Sequence, residues 1–289
     1  MSKILITGAT GQLGGIIIEH LLKTVAASDL AVLVRDESKA TDLKQKGLSI
    51  KIGDYHNNDA LIAAMQGIDK VLLISSSDFN GRFQQHKNVI DAASAAGVKH
   101  IFYTGVSMRD VKISPIRPLL EDHFMTEDYI KEKGLTYTFL QNSLYFEVIP
   151  MFAGEHVLEM GLVFPAGAGK VSFASRNDLG EAIAKILGSE GNENKTYTLS
   201  SRNAYSFSDI ASNLSTLTGN NIVYTDMEAQ AFETMLSSLG LPPAIVSMSA
   251  LFAAAIKHQD FEDCDSTLES ILGRPQMDLN AFLKSFYNL

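Results

Sequence analysis

Cysteine is nearly absent. Cys264 is the only one in 289 residues, which excludes an internal disulfide and any thiolate metal cluster. No histidine or second cysteine accompanies it, so it is expected to be incidental rather than redox-active. Basic charge is also scarce: 24 Lys and Arg face 33 Asp and Glu, a formal net charge of -9, with no basic block anywhere. Nucleic acid is therefore not an expected partner, and nothing favours an anionic lipid surface. Long apolar runs are missing as well. The longest, around Ser249 to Ile256, falls far short of the roughly 20 residues that a membrane span needs. From Met1 the chain runs straight into an apolar strand and then glycine, without the pattern of a signal peptide. The expectation is a cytoplasmic protein with no membrane partner. What is present is 46% hydrophobic residues, enough at this length to fill a continuous core.

Up to about residue 142, short β-branched runs alternate with amphipathic stretches, the mark of a parallel sheet wound with helices. Strands are expected at Lys3 to Thr7, Leu30 to Arg35, Leu48 to Gly53, Val71 to Ser75, His100 to Thr104 and Thr136 to Gln141. Helices are expected at Gln12 to Lys23, Asn58 to Met65, Arg82 to Ala96 and Glu121 to Lys133, where apolar residues recur every three or four positions. The rhythm then changes. Short strands near Leu162 to Phe164, Val171 to Ala174 and Thr196 to Ser200 lie among longer helices, with Gly240-Leu-Pro-Pro243 and Gly273-Arg-Pro275 as the clearest stops. The fold class expected is α/β, a Rossmann-type doubly wound parallel sheet (residues 1–142) with a smaller, mainly helical C-terminal lobe (residues 143–289). With no linker between them, the lobe is expected to be interleaved with the sheet and to close a cleft.

Directly after the first strand comes Gly8-Ala-Thr10-Gly11-Gln12-Leu13-Gly14-Gly15, inside which the helix begins. A tight strand-to-helix turn needs Gly8, a pyrophosphate can approach the backbone only where Gly11 lacks a side chain, and Gly14 lets helix and strand pack closely. The phosphates would then meet free N–H groups at the positive end of the helix. An NAD-preferring site usually ends its second strand in an acid. Here that strand ends in Arg35, a fork suited to a 2′-phosphate, with Asp36 one residue later. NADPH is the expected cofactor, with NADH still possible. Because ligands lie at the carboxyl ends of strands, Asp54 and Tyr55 are placed at the adenine edge, and Ser75, Ser76 and Ser77 beside the nicotinamide ribose.

Tyr129-Ile-Lys-Glu-Lys133 matches the Tyr-x-x-x-Lys pair with which many alcohol dehydrogenases and sugar epimerases exchange a proton. Its location argues against that role. Lys133 abuts Gly134, the stop before the sixth strand, so the pair occupies the last turn of its helix, and the working pair must lie earlier. His123 lies upstream, where a side chain could face the cofactor.

With Gly8-Ala-Thr-Gly-Gln-Leu-Gly14, Val34-Arg35, Gly53-Asp-Tyr55, Ala96-Gly-Val-Lys-His100 and Thr136-Tyr-Thr-Phe-Leu-Gln-Asn142, the chain resembles the NmrA-like, atypical branch of the short-chain dehydrogenases. Within it the chain is similar to NADPH:quinone oxidoreductases and triphenylmethane reductases. The resemblance implies an NADPH-dependent reductase without the Tyr/Lys pair, with an apolar cleft for a small flat hydrophobic substrate. A lysine stands at the position of His123 in isoflavone-type relatives and a histidine in the quinone and dye reductases. Asn142 carries over as a cofactor-side cleft residue, whereas Gln141 departs from the Arg-Asn usual there. His123, as a donor to a developing quinol oxygen, and Tyr145 are the catalytic candidates. Tyr145 and Phe146 offer aromatic surface to a flat substrate, or else form plain core. A conjugated acceptor takes hydride directly, so orientation and exclusion of water suffice without a strongly activated proton donor. A dinucleotide-binding sensor that does not turn its ligand over, and a nucleotide-sugar epimerase, are the other readings. A monomer or a homodimer is compatible with the sequence, and no metal is expected.

Overall fold

The computed structural model describes residues 2–289 except Ser77, Asn80 and Glu155. In chain order the elements are β1 (Ile4–Ile6), α1 (Gln12–Leu21), β2 (Leu30–Val34), α2 (Thr41–Gln45), β3 (Ser49–Ile52), α3 (Asn58–Met65), β4 (Lys70–Ile74), α4 (Arg82–Ala95), β5 (His100–Val106), α5 (Arg117–Glu132) and β6 (Thr136–Asn142). They continue with α6 (Ile149–Ala153), α7 (Val157–Met160), β7 (Leu162–Val163), β8 (Lys170–Val171), α8 (Arg176–Leu187), β9 (Lys195–Leu199), β10 (Tyr205–Ser206), α9 (Phe207–Thr218) and β11 (Tyr224–Thr225). The last four are α10 (Ala229–Ser238), α11 (Pro243–Lys257), α12 (Thr267–Leu272) and α13 (Leu279–Tyr287). No helix among the described residues is long and apolar enough to cross a membrane.

The chain divides into two compact units. One holds residues 1–106, 122–142 and 179–198; the other holds 107–121, 143–178 and 199–289. The first is built on a seven-stranded sheet in the order β3-β2-β1-β4-β5-β6-β9. β1 pairs in parallel with both β2 and β4, in register Leu5 with Ala31 and Val71. The winding therefore reverses between β1 and β4, and in such sheets a ligand crevice forms at the carboxyl ends of the strands beside that reversal. Interior strands read as unbroken apolar runs because both faces are covered. Every residue of β5, His-Ile-Phe-Tyr-Thr-Gly-Val, is buried. On one face Leu61 and Met65 of α3, Val89 and Ile90 of α4 and Ile130 of α5 pack against Leu5, Val71, Leu73, Ile101, Tyr103 and Phe139 of the strands.

The strand expected in the C-terminal lobe at Thr196 to Ser200 belongs instead to this sheet, as its β6-side edge strand β9. Its composition marks a strand, but a partner more than fifty residues earlier, where Asn194 donates to the Tyr137 carbonyl, cannot be read from local pattern. Helix α5 also starts earlier than the apolar periodicity indicated, at Arg117. The second unit carries two small ribbons, β8 with β10 antiparallel and β7 with β11 parallel. Its core is aromatic: Phe152 stacks on Phe164, Phe207 packs against Phe164 at a tilt, and Phe146 stacks between Phe173 and Phe282.

Candidate functional site

A pocket of about 200 Å³ lies at the carboxyl ends of β1, β2 and β3, and it brings together Gly8, Thr10, Arg35, Asp54 and Tyr55. Gly8 leaves β1 at φ +61°, a left-handed conformation that glycine adopts without strain. Gly11 then donates its N–H to the Gly8 carbonyl at 3.0 Å. Helix α1 starts with no side-chain cap and no acidic residue in its first turn, so its positive end and first N–H groups are open to an anion. A Cβ on Gly14 would lie 2.3 Å from the Gly8 carbonyl oxygen; the helix rests directly on the backbone of the turn. Gln12 is exposed, whereas the Leu13 side chain is buried, which leaves Leu13 only its backbone for a ligand.

Arg35 is exposed at the tip of β2 and makes no ion pair among the described residues. Asp36 turns away to cap the next helical turn, its Oδ1 accepting from the Ser38 N–H at 2.9 Å and the Ser38 hydroxyl at 2.7 Å. These bonds hold its carboxyl below the usual aspartate range. Asp54 accepts the His56 N–H at 2.8 Å. The Tyr55 phenol, beside Thr7 and Arg35, is pushed up to about 12, chiefly by burial, so it stays neutral. Three further polar residues line the pocket that the sequence did not single out: His56, Asp78 and Gln85. Gln85 donates Nε2–H to Asp78 Oδ2 at 3.0 Å. No local motif marks them; only the rule that loops at strand ends bind ligands would have found Asp78.

At the end of β4 the backbone is tied to side chains from its neighbours. Ile74 donates its N–H to Thr7 Oγ1 at 3.0 Å and Ser75 to Thr104 Oγ1 at 2.9 Å. Ser75 and Ser76 are half-buried, and Ser77 lies outside the described residues. Asn142, the last residue of β6, is 3% exposed, and neither its Oδ1 nor its Nδ2 has a hydrogen-bond partner among the described residues. A buried polar group left unpaired costs about 1–3 kcal/mol. This amide is thus suited to a ligand that both donates and accepts.

His123 is 9% exposed, and its Nδ1 lies 2.8 Å from the Tyr103 hydroxyl. Burial, with Arg82 and His86 nearby, pushes the imidazole well below the usual histidine range. It is a neutral interior ring with Nδ1 already engaged, so only Nε2 retains hydrogen-bonding capacity. Tyr129 donates its hydroxyl to Asp91 Oδ1 at 2.7 Å, and Lys133 Nζ lies 2.6 Å from the same oxygen. Burial and the Asp91 carboxylate push the Tyr129 phenol up, the reverse of what proton exchange with an alcohol needs.

In the second unit Tyr145 is half-buried, with the Arg176 guanidinium 4.6 Å from its ring centre. Arg176 opens α8 and donates its N–H to Glu147 Oε1 at 3.0 Å. Phe146 is fully buried between two phenylalanines. It is core, not exposed aromatic surface, because a short 3-10 turn starts at Phe146, directly after the extended Tyr145, and Phe146 stacks on Phe173 and Phe282. Gln141, where the resemblance leads one to expect arginine, donates Nε2–H to both oxygens of the buried Glu127, at 3.0 and 3.2 Å. Without a full countercharge, burial pushes the Glu127 carboxyl up.

The sequence pattern of the NmrA-like family matches residues 1–283. The chain is 37% identical to quinone oxidoreductase 2 of Escherichia coli (strain K12) over 287 residues, 99% of each chain. Its fold superposes with a TM-score of 0.93 on the crystal structure of the NADPH-dependent quinone oxidoreductase from Escherichia coli complexed with NADPH, at 35% identity over 99% of this chain and 100% of that one. Against the Citrobacter sp. triphenylmethane reductase complexed with NADP(H), the TM-score is 0.90 at 36% identity, covering 98% and 99% of the two chains. This chain belongs to the NmrA-like family.

Proposed function

We propose that the protein is an NADPH-dependent reductase that delivers hydride to a quinone or a similar small, conjugated acceptor. One observation carries the reading: the pocket that joins Gly8 and Thr10 to Arg35, whose guanidinium makes no ion pair among the described residues while the neighbouring Asp36 is spent on Ser38. The residues fit the cofactor. The uncapped start of α1 suits a pyrophosphate, Arg35 suits a 2′-phosphate, and the unpaired Asn142 amide suits a carboxamide, which likewise donates and accepts. When bound, NADPH supplies the hydride. The chain's part is to hold it at one orientation and to exclude water, which for an acceptor with delocalised charge is most of the catalytic task. His123, neutral, can donate from Nε2 while Nδ1 accepts the Tyr103 hydroxyl proton, and Tyr145 presents a ring stiffened by Arg176.

The Tyr129 and Lys133 pair does not serve alcohol oxidation or epimerisation on this reading, since Asp91 binds both. The test mixes purified protein with NADPH and a panel of simple quinones and follows cofactor absorbance. Acceptor-dependent oxidation is expected, faster with NADPH than with NADH. Tight NADPH binding with no oxidation by any acceptor would leave a dinucleotide-binding sensor in its place.

A further inference from the structure

The turn after β4 is held by a third side chain that takes no part in the pocket. Ser76 donates its N–H to His86 Nε2 at 3.2 Å. His86 lies one turn into α4 and is fully buried. Its other nitrogen, Nδ1, lies 2.9 Å from Thr126 Oγ1, and Thr126 in turn donates its single hydroxyl proton to the Asp122 carbonyl at 2.6 Å. With that proton committed, the Thr126 oxygen can only accept, so Nδ1 must carry the imidazole proton and Nε2 must be bare. The tautomer is fixed from both ends. Burial and the neighbouring Arg82 push the imidazole down to about 3, so the ring stays in this form across the working range.

Three consecutive N–H groups, those of Ile74, Ser75 and Ser76, thus end on Thr7, Thr104 and His86, which come from the residue after β1, from β5 and from α4. A turn that leaves a sheet ordinarily satisfies its amides with water or with itself. Here each is pinned by a buried side chain, and the outermost pin is braced by α5 through Thr126. Tyr103 packs edge-on against the His86 ring at 5.4 Å between ring centres, which closes the remaining side.

We propose that His86 is a positioning residue, which fixes the Ser75–Ser76 turn against the nicotinamide half of the dinucleotide; this rests on the cofactor reading above. The substitutions His86→Asn and His86→Gln divide its two bonds. Asparagine keeps a donor at the Nδ1 position and loses the acceptor for Ser76; glutamine keeps an acceptor at the Nε2 position and loses the donor to Thr126. Calorimetric titration with two probes reads the outcome: NADPH, and 2′,5′-ADP, which has the adenosine bisphosphate half without nicotinamide riboside. His86→Asn should weaken NADPH about three- to tenfold, the span of one hydrogen bond, with 2′,5′-ADP unchanged. His86→Gln should leave both affinities near those of the parent. Should His86→Asn fail to fold, His86→Leu, which likewise removes the acceptor for Ser76, should show the same asymmetry between probes. Equal weakening of both probes, or unchanged NADPH affinity in His86→Asn, overturns the proposal. A parent protein that binds neither probe overturns the cofactor reading itself, and this one with it.

Discussion

Gly14 and Gly15 are adjacent in α1, yet alanine should have opposite effects at the two. Both replacements gain the same backbone term, about 0.5–1 kcal/mol for removing a glycine from a helix interior. Around Gly15 no atom of the described residues outside the helix's own backbone lies within 4 Å of the new methyl group, so Gly15→Ala keeps the gain. At Gly14 the methyl meets the Gly8 carbonyl oxygen at 2.3 Å, the Gly8 carbonyl carbon at 2.9 Å and Ala9 Cα at 3.0 Å. All three are backbone atoms, and no rotamer change relieves them, so the helix must lift from the turn by about 1 Å. Forced overpacking of this kind costs about 1–3 kcal/mol. Since the backbone term is common to both, the difference between the variants isolates the clash. At roughly 2–4 °C per kcal/mol for a chain of this size, Gly14→Ala should melt about 2–12 °C below Gly15→Ala by circular dichroism. It should also lose NADPH affinity, because the first N–H groups of α1 move with the helix. If the two variants melt together and bind NADPH alike, the close approach of α1 to the turn does not govern the site.

Arg35→Ala should weaken NADPH roughly tenfold to a hundredfold, the worth of charge-assisted bonds, and leave NADH unchanged; equal losses in titrations with the two cofactors would refute the phosphate role. The folded pKa of Glu127 is raised by burial, so the native state holds that proton more tightly than the unfolded chain does. The associated stabilisation is present at low pH and lost as pH rises through the folded value. Glu127→Gln should therefore melt above the parent at pH 8, with the gap closing towards pH 5; a gap that widens on acidification would reverse the sign. Tyr129→Phe and Lys133→Ala should leave the reductase kcat within about twofold, as for residues away from the chemistry. A collapse of kcat with intact folding in either variant would place the pair in the reaction after all.

The sequence by itself determined the parallel-sheet architecture and the dinucleotide turn. Strand runs such as Lys3 to Thr7 and Thr136 to Gln141 come within a residue or two of the observed β1 and β6, because alternation and apolar continuity are local properties. The glycine turn is equally local: Gly8 needs a left-handed φ and Gly14 a bare Cα, and both needs are met within seven residues of chain. Even the rejection of Tyr129 and Lys133 followed from their distance to Gly134. What the tertiary structure decided are matters of partnership. Asp36 is legible as an acid beside Arg35, but only the structure puts its carboxylate on Ser38. The strand at Lys195–Leu199 carried no mark of which sheet would take it. Phe146 was legible as aromatic but not as buried, and Asn142 as polar but not as unpaired. His86 carried no signal at all, because its meaning lies in Ser76 and Thr126, ten and forty residues away, and only packing brings an acceptor and a donor to the two sides of one ring.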